Sequence, residues 1–176
     1  MHKDFYDTSV MLAGFSPLKE DKIDIIRQRS SLKVLSRSKN REVKGNTSYL
    51  AIVEFFGVLA VKTQKKLRLI EKKCNQIKKF NIQIIYPTHR VKLENEYKET
   101  SLAMKQVLLD WTNDVIGYSI NYQLNGLDAS HLLTAVENGC TRFITWDKDF
   151  LSNPNFRTKK LKDLNYIQIT SPDKIA

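Results

Sequence analysis

Residues 127–150 read LDASHLLTAVENGCTRFITWDKDF, and their order decides the fold class. Leu132, Leu133 and Val136 recur at helical spacing after Asp128, a residue suited to a helix start. Asn138 and Gly139 then stop the helix, and the apolar run RFITW reads as a strand that gives way to Asp147 and Asp149. A helix, a tight stop, a buried-looking strand and an acidic end form one half of a βαβ unit. The rest of the chain repeats that alternation.

At the N-terminus, KDFYDTSVML predicts a short strand running into a turn at Asp7 to Ser9. Helical character follows from Ile23 to Leu35, and the polar stretch Ser36 to Asn46 reads as an exposed loop. A helix from about Ser48 to Val61 has Thr47 or Ser48 as its N-cap. A second, amphipathic helix carries Leu67, Ile70, Cys74 and Ile77 on one face as far as Lys79. NIQIIYP is a strand stopped by Pro87, Val91 to Val115 is helical, and YIQIT is the last strand. The expected fold is α/β with a mainly parallel central sheet, its working site beyond the carboxyl ends of the strands. With 176 residues and 41% apolar content, one domain is expected.

Composition narrows the function. Lys and Arg number 29 against 19 Asp and Glu, a formal charge of +10. Arg27, Arg29, Lys33, Arg37, Lys39, Arg41 and Lys44 face only Glu42 in one segment, a basic insert around 27–46. Eight more basic residues lie between Val61 and Phe80, Lys65 and Lys66 among them, against Glu71. Such fields favour an anionic partner, with nucleic acid the first candidate. The apolar run Tyr49 to Val61 is shorter than the roughly 20 residues a membrane span needs and contains Glu54. No membrane association is expected, and the acidic N-terminus does not read as a signal peptide. Two separated cysteines, Cys74 and Cys140, suit free thiols in the cytoplasm. His2, His89, His131 and these cysteines lack zinc-ligand spacing. Phosphate-loop, dinucleotide-binding and serine-esterase motifs are missing. Trp111 and Trp146 read as core residues, with Tyr118 and Tyr122 as candidates for stacking on an unpaired base.

Four acids remain. Asp7 and Asp147 end predicted strands, Asp128 begins a helix, and Glu54 sits among apolar residues in LAIVEFFGVL, where an ionised carboxylate is costly unless paired or bound to a cation. Gathered at one end of the sheet they would repel one another. A divalent cation removes that conflict, and oxygen-only ligands suit Mg²⁺ or Mn²⁺.

YDTSVML with Asp7, SYLAIVEFFGVL with Glu54, LDASHLLTAVENG with Asp128 and FITWDKDF with Asp147 resemble, in order, the four acidic motifs of PIN-domain nucleases. The resemblance spans residues 4–150 and implies a three-layer α/β/α sandwich and Mg²⁺- or Mn²⁺-dependent endoribonuclease activity. It also implies frequent homodimers, and in VapC-like toxins an antitoxin that blocks the acidic cleft. Carried over, Asp7, Glu54, Asp128 and Asp147 are the catalytic, metal-binding acids. Ser9 and Thr145 are polar groups beside them, and Asp149 can serve as an auxiliary ligand. Arg37, Lys39, Arg41, Lys44, Lys65 and Lys66 are the expected RNA-backbone contacts. Two alternatives use the same residues: a non-catalytic RNA-binding or ribonucleoprotein subunit, and a structure-specific DNA nuclease.

Overall fold

The computed structural model describes residues 1–15, 22–62, 68, 72, 75, 77–87, 101–157, 164 and 167–175. Five strands form one wholly parallel sheet in the order β3-β2-β1-β4-β5. They are β1 (Lys3–Tyr6), β2 (Lys44–Ser48), β3 (Gln83–Ile85), β4 (Arg142–Ile144) and β5 (Gln168–Thr170). The main helices are α1 (Thr8–Phe15), α2 (Lys22–Lys39), α3 (Tyr49–Lys62), α4 (Ser101–Tyr122) and α5 (Gly126–Glu137). Two single turns, α6 (Lys148–Leu151) and α7 (Pro154–Arg157), follow β4. The fold is a three-layer α/β/α sandwich.

Alternation along each strand divides the core into two layers. Phe5 and Phe143 point to one face, stacked 4.9 Å apart, and meet Ala129, Leu132 and Val136 of α5. Tyr6 and Ile144 point to the other and meet Val10 and Met11 of α1, Leu35 of α2 and Phe55 of α3. The chain winds outward from β1 in both directions, so strand order reverses between β1 and β4. In open parallel sheets, ligand crevices form at that reversal, beyond the carboxyl ends of the strands.

Several expectations are corrected here. The turn at Asp7 to Ser9 is instead the immediate start of α1, with Val10 N–H bonding Asp7 O. The supposed loop from Ser36 to Asn46 holds the end of α2 and the start of β2. The basic segment forms a helix packed on α1 and the start of a strand beside β1. β2 escapes a hydrophobic-pattern reading because its sequence is KGNTS, although all but its first residue are buried. Side-chain bonds replace apolar contacts there. Asn46 Nδ2 donates to Asp4 O and Lys44 O, and Thr47 Oγ1 donates to Tyr6 O. Gly45 admits the Tyr6 ring and the Ser38 hydroxyl, since a Cβ would lie 2.7 Å from the one and 2.3 Å from the other. Tyr118 and Tyr122 are in regular helix α4, and Tyr122 stacks on Phe156. Leu67, Ile70 and Cys74 fall outside the described residues. Cys140 is buried and free, its thiol pushed up to about 12 by burial.

At the opposite edge of the sheet from the strand ends, Asp4 of β1 is fully buried and takes a bidentate pair of bonds, each 2.7 Å, from Arg142 of β4. Burial raises the Asp4 carboxyl above its ordinary value, with the Arg142 guanidinium opposing it. Desolvation thus outweighs the pairing, as is usual for interior ion pairs. Asp4→Ala should cost about 3–5 kcal/mol, because it strands a buried guanidinium. Adding Arg142→Met should restore a large part of that loss, and a double-mutant cycle of denaturant midpoints tests both.

Candidate active site

β1 and β4 end side by side at the strand-order reversal, and Asp7 is the first residue past β1. Its carboxylate is 5% exposed. Asp7 Oδ2 accepts the Ser9 hydroxyl at 2.6 Å and the Thr145 hydroxyl at 2.8 Å. Each hydroxyl in turn accepts a backbone N–H: Trp146 N–H donates to Ser9 Oγ at 3.0 Å and Asp147 N–H to Thr145 Oγ1 at 2.9 Å. Two amides freed at the end of β4 are thereby satisfied through hydroxyl relays that end on one carboxylate oxygen. Among the described residues no hydrogen bond reaches Oδ1.

Asp147 lies three residues beyond the last residue of β4 and caps α6, its Oδ1 accepting Asp149 N–H at 2.8 Å. Asp128 does not cap α5. That role belongs to Asn125, whose Oδ1 accepts the N–H groups of Leu127 and Asp128, while Asn125 Nδ2 donates to Asp128 Oδ2 at 2.6 Å. Asp128 is pushed up to about 6, first by burial, then by the charges of Asp147 and Asp7; Asp149 adds to the rise and His131 opposes it. All four aspartates therefore share one electrostatic neighbourhood.

Glu54 flanks this group on α3. Its Oε2 accepts the Thr8 hydroxyl at 2.5 Å and lies 3.4 Å from His131 Nε2. The buried His131 ring meets Ser48 Oγ through Nδ1 at 2.9 Å, and Ser48 Oγ also accepts Ala51 N–H at 2.9 Å, making Ser48 the cap of α3. A Ser48 proton directed at Nδ1 leaves the Nε2 proton for Glu54, which satisfies every member of the chain. The hydrogen bond from His131 is the largest influence holding Glu54 below its ordinary value, helped by Thr8 and opposed by burial. His131 stands one helical turn after Asp128, so both lie on the same side of α5, His131 buried and Asp128 half-buried. Neither the Thr8 nor the Asn125 role was legible from residue type; the D-A-S-H spacing was the available signal for His131.

The oxygen-only donor set matches a hard divalent cation. No group of three or more His, Cys, Asp or Glu side chains among the described residues converges tightly enough to hold a metal ion. Mg²⁺, however, is commonly held by one or two carboxylates together with waters and substrate phosphates. One or two of Asp7, Asp147 and Asp128 would be the carboxylate donors to such an ion, and a cation there would offset the part of the Asp128 rise that comes from neighbouring charge.

The expected RNA contacts lie elsewhere. α2, about 27 Å long by the helical rise, ends next to the start of β2, the edge of the sheet opposite the acids. Arg37 faces Glu42 at 3.5 Å and lines a cleft of about 470 Å³ with Lys33, Ser36, Asn40, Glu42 and Ile175. Lys39, Arg41 and Lys44 are exposed at that edge, and Lys65 and Lys66 fall outside the described residues. Towards the acid end of α2 lies Arg27, whose guanidinium is 5.6 Å from the centre of the Trp146 ring. Trp146 is only partly buried, and its Nε1 donates to Ser31 Oγ at 2.8 Å.

Two titrations check this electrostatic picture in metal-free protein. The folded Asp128 carboxyl titrates near 6 against 3.8 for the free side chain, so its contribution favours folding at acid pH and is lost as pH rises through about 6. Stability should fall between pH 4 and pH 7, and Asp128→Asn should flatten that part of the curve. Separately, His131→Leu should raise the Glu54 pKa as read by carboxyl NMR shifts. No protein-family model matches the chain, and no curated protein matches it significantly.

Proposed function

We propose that the chain is a metal-dependent endoribonuclease whose reaction takes place at Asp7, Glu54, Asp128 and Asp147. The observation that carries this reading is the gathering of Asp7, Asp128, Asp147 and Asp149 at the strand-order reversal, where burial first and the charges of Asp147 and Asp7 next push Asp128 up to about 6. Perturbed carboxylates in such a crevice are a recurrent mark of catalytic sites. The resemblance to PIN-domain motifs supplies the substrate class, and the +10 charge suits a polyanion. Antitoxin pairing and a homodimer belong to the same proposal through that resemblance alone.

In this reading Asp7 is oriented by its two hydroxyl donors on Oδ2, with Oδ1 offered as a ligand. Asp147 adds a second carboxylate and Asp128 a third, and Asp149 stands by as an auxiliary oxygen donor. Glu54 is fixed in its ionised form by Thr8 and His131. When bound, Mg²⁺ or Mn²⁺ supplies charge neutralisation at the phosphodiester and lowers the pKa of an attacking water. Asp7, Asp128 and Asp147 would hold the negative charge that binds the ion, with Glu54 beside them. A second reading, an RNA-binding subunit without turnover, draws on the lack of a close three-acid group among the described residues.

Wild-type protein should cut single-stranded or structured RNA into discrete fragments with Mg²⁺ or Mn²⁺ and not with EDTA. Asp7→Asn keeps an acceptor for Ser9 and Thr145, so it should fold normally yet lose at least about a hundredfold in rate. Retained cleavage in Asp7→Asn and Asp128→Asn alike would refute the proposal. RNA binding with no metal-dependent product would select the subunit reading, and preferential cutting of matched DNA would move the substrate to DNA.

A further inference from the structure

We propose that Arg27, lying over the Trp146 ring, grips the phosphate backbone of the RNA strand as it approaches the acidic cluster; the proposal rests on the nuclease reading above. Four features of this pair support the assignment.

The first is position. Trp146 lies between Thr145, which donates to Asp7, and Asp147, and its own N–H supports Ser9 on Asp7. α2 begins at this end of the molecule, so Arg27, in its second turn, stands beside the crevice, whereas Arg37 stands at the far edge. The second is availability. Among the described residues no carboxylate is paired with Arg27, while Arg37 is matched with Glu42, which also accepts from Asn40 Nδ2.

Geometry is the third. The Arg27 guanidinium lies 5.6 Å from the centre of the Trp146 ring, a cation–π contact that consumes none of its N–H donors, so its planar fork remains for a phosphate. The ring beneath is held by the bond from Trp146 Nε1 to Ser31 Oγ and by packing against the α1 and α2 core layer. Arg27 is therefore held in place before any ligand arrives, which lowers the entropy cost of binding. Electrostatic need is the fourth. A crevice of several carboxylates repels a phosphodiester, and a fixed cation at its rim offsets that repulsion where the strand must approach most closely. Lysine would supply the charge without the planar fork.

The test uses a labelled single-stranded RNA oligonucleotide and the Asp7→Asn protein as a background that binds without cutting. Arg27→Gln in that background should weaken binding about tenfold. Its plot of log affinity against log salt should also be shallower by about 0.7, the slope carried by one phosphate contact on a single strand. Arg27→Lys should keep the slope and lose affinity. In otherwise wild-type protein, Arg27→Gln should raise KM more than it lowers kcat, with an unchanged melting temperature. If Arg27→Gln leaves affinity and slope intact while wild type still cuts RNA with metal, Arg27 is not the grip and the nuclease reading survives. A lower melting temperature with an unchanged slope would assign Arg27 a packing role and also overturn the proposal. If the Asp7→Asn protein binds no RNA and wild type cuts none, both fall together.

Discussion

The junction between the ends of β1 and β4 hangs on one carboxylate oxygen. Asp7 Oδ2 accepts two hydroxyls, and those hydroxyls carry the backbone N–H groups of Trp146 and Asp147. A carboxylate that is 5% exposed would be expensive without such donors. Here the same bonds that make it tolerable also fix where the chain leaves the sheet after β4. Trp146 and Asp147 are positioned by that exit, and so the rim and the floor of the crevice have a common origin. The opposite edge of the sheet solves its own burial problem with the Asp4 and Arg142 pair, so each edge joins β1 to β4 through an acid, but with different chemistry.

Charge is distributed unevenly around this frame. The aspartates gather at the carboxyl ends of β1 and β4, whereas the exposed cations Lys39, Arg41 and Lys44 sit at the other edge. Within the acidic group the protein neutralises little of its own charge. Thr8, Ser9, Thr145 and Asn125 offer hydrogen bonds, and His131 is the basic side chain in contact. Arg27 is held against the Trp146 ring and paired with none of the acids among the described residues, although it stands at their end of α2.

Much of this arrangement was legible in the sequence because parallel α/β folds write strong local signals. The apolar runs of β1, β3 and β4, the Asn138 and Gly139 stop and the periodicity of α5 gave the layers. Gly139 indeed takes a positive φ of 64°, and Cys140 N–H bonds back to Ala135 O. β2 was not legible, since Asn46, Thr47 and Ser48 look like loop residues until their side-chain bonds are known. The end of α2 was lost with it. At the site, Asp7, Asp128 and Asp147 stood out through their places relative to strands and helix, while the assignment of the cap to Asn125 needed coordinates. Arg27 was one of seven basic residues in its segment and looked no different from Arg37. Only the packing of α2 separates the residue beside the acids from the residue matched with Glu42.

A purely structural account can explain each acid once but not their assembly. Asp147 is a helix cap, and Asn, Ser or Thr would cap as well without adding charge. Asp128 is not the cap of α5 at all, and the bond it accepts from Asn125 Nδ2 could be accepted by an uncharged Asn. Glu54 receives two donors, yet it stands in an apolar stretch of α3 where an uncharged residue would leave no carboxylate to satisfy. Protonation relieves Asp128 only at the loss of its charge. Foldable sequences rarely maintain a local conflict of this kind without a compensating use, and such conflicts concentrate at functional sites. On the proposed nuclease reading, a polyanionic substrate accompanied by divalent cations would reverse the sign of the conflict, because carboxylates that repel in the free protein would serve as ligands in the complex. On that proposed reading, the hydrogen bonds these acids accept shape the junction, and their negative charge serves what they would bind.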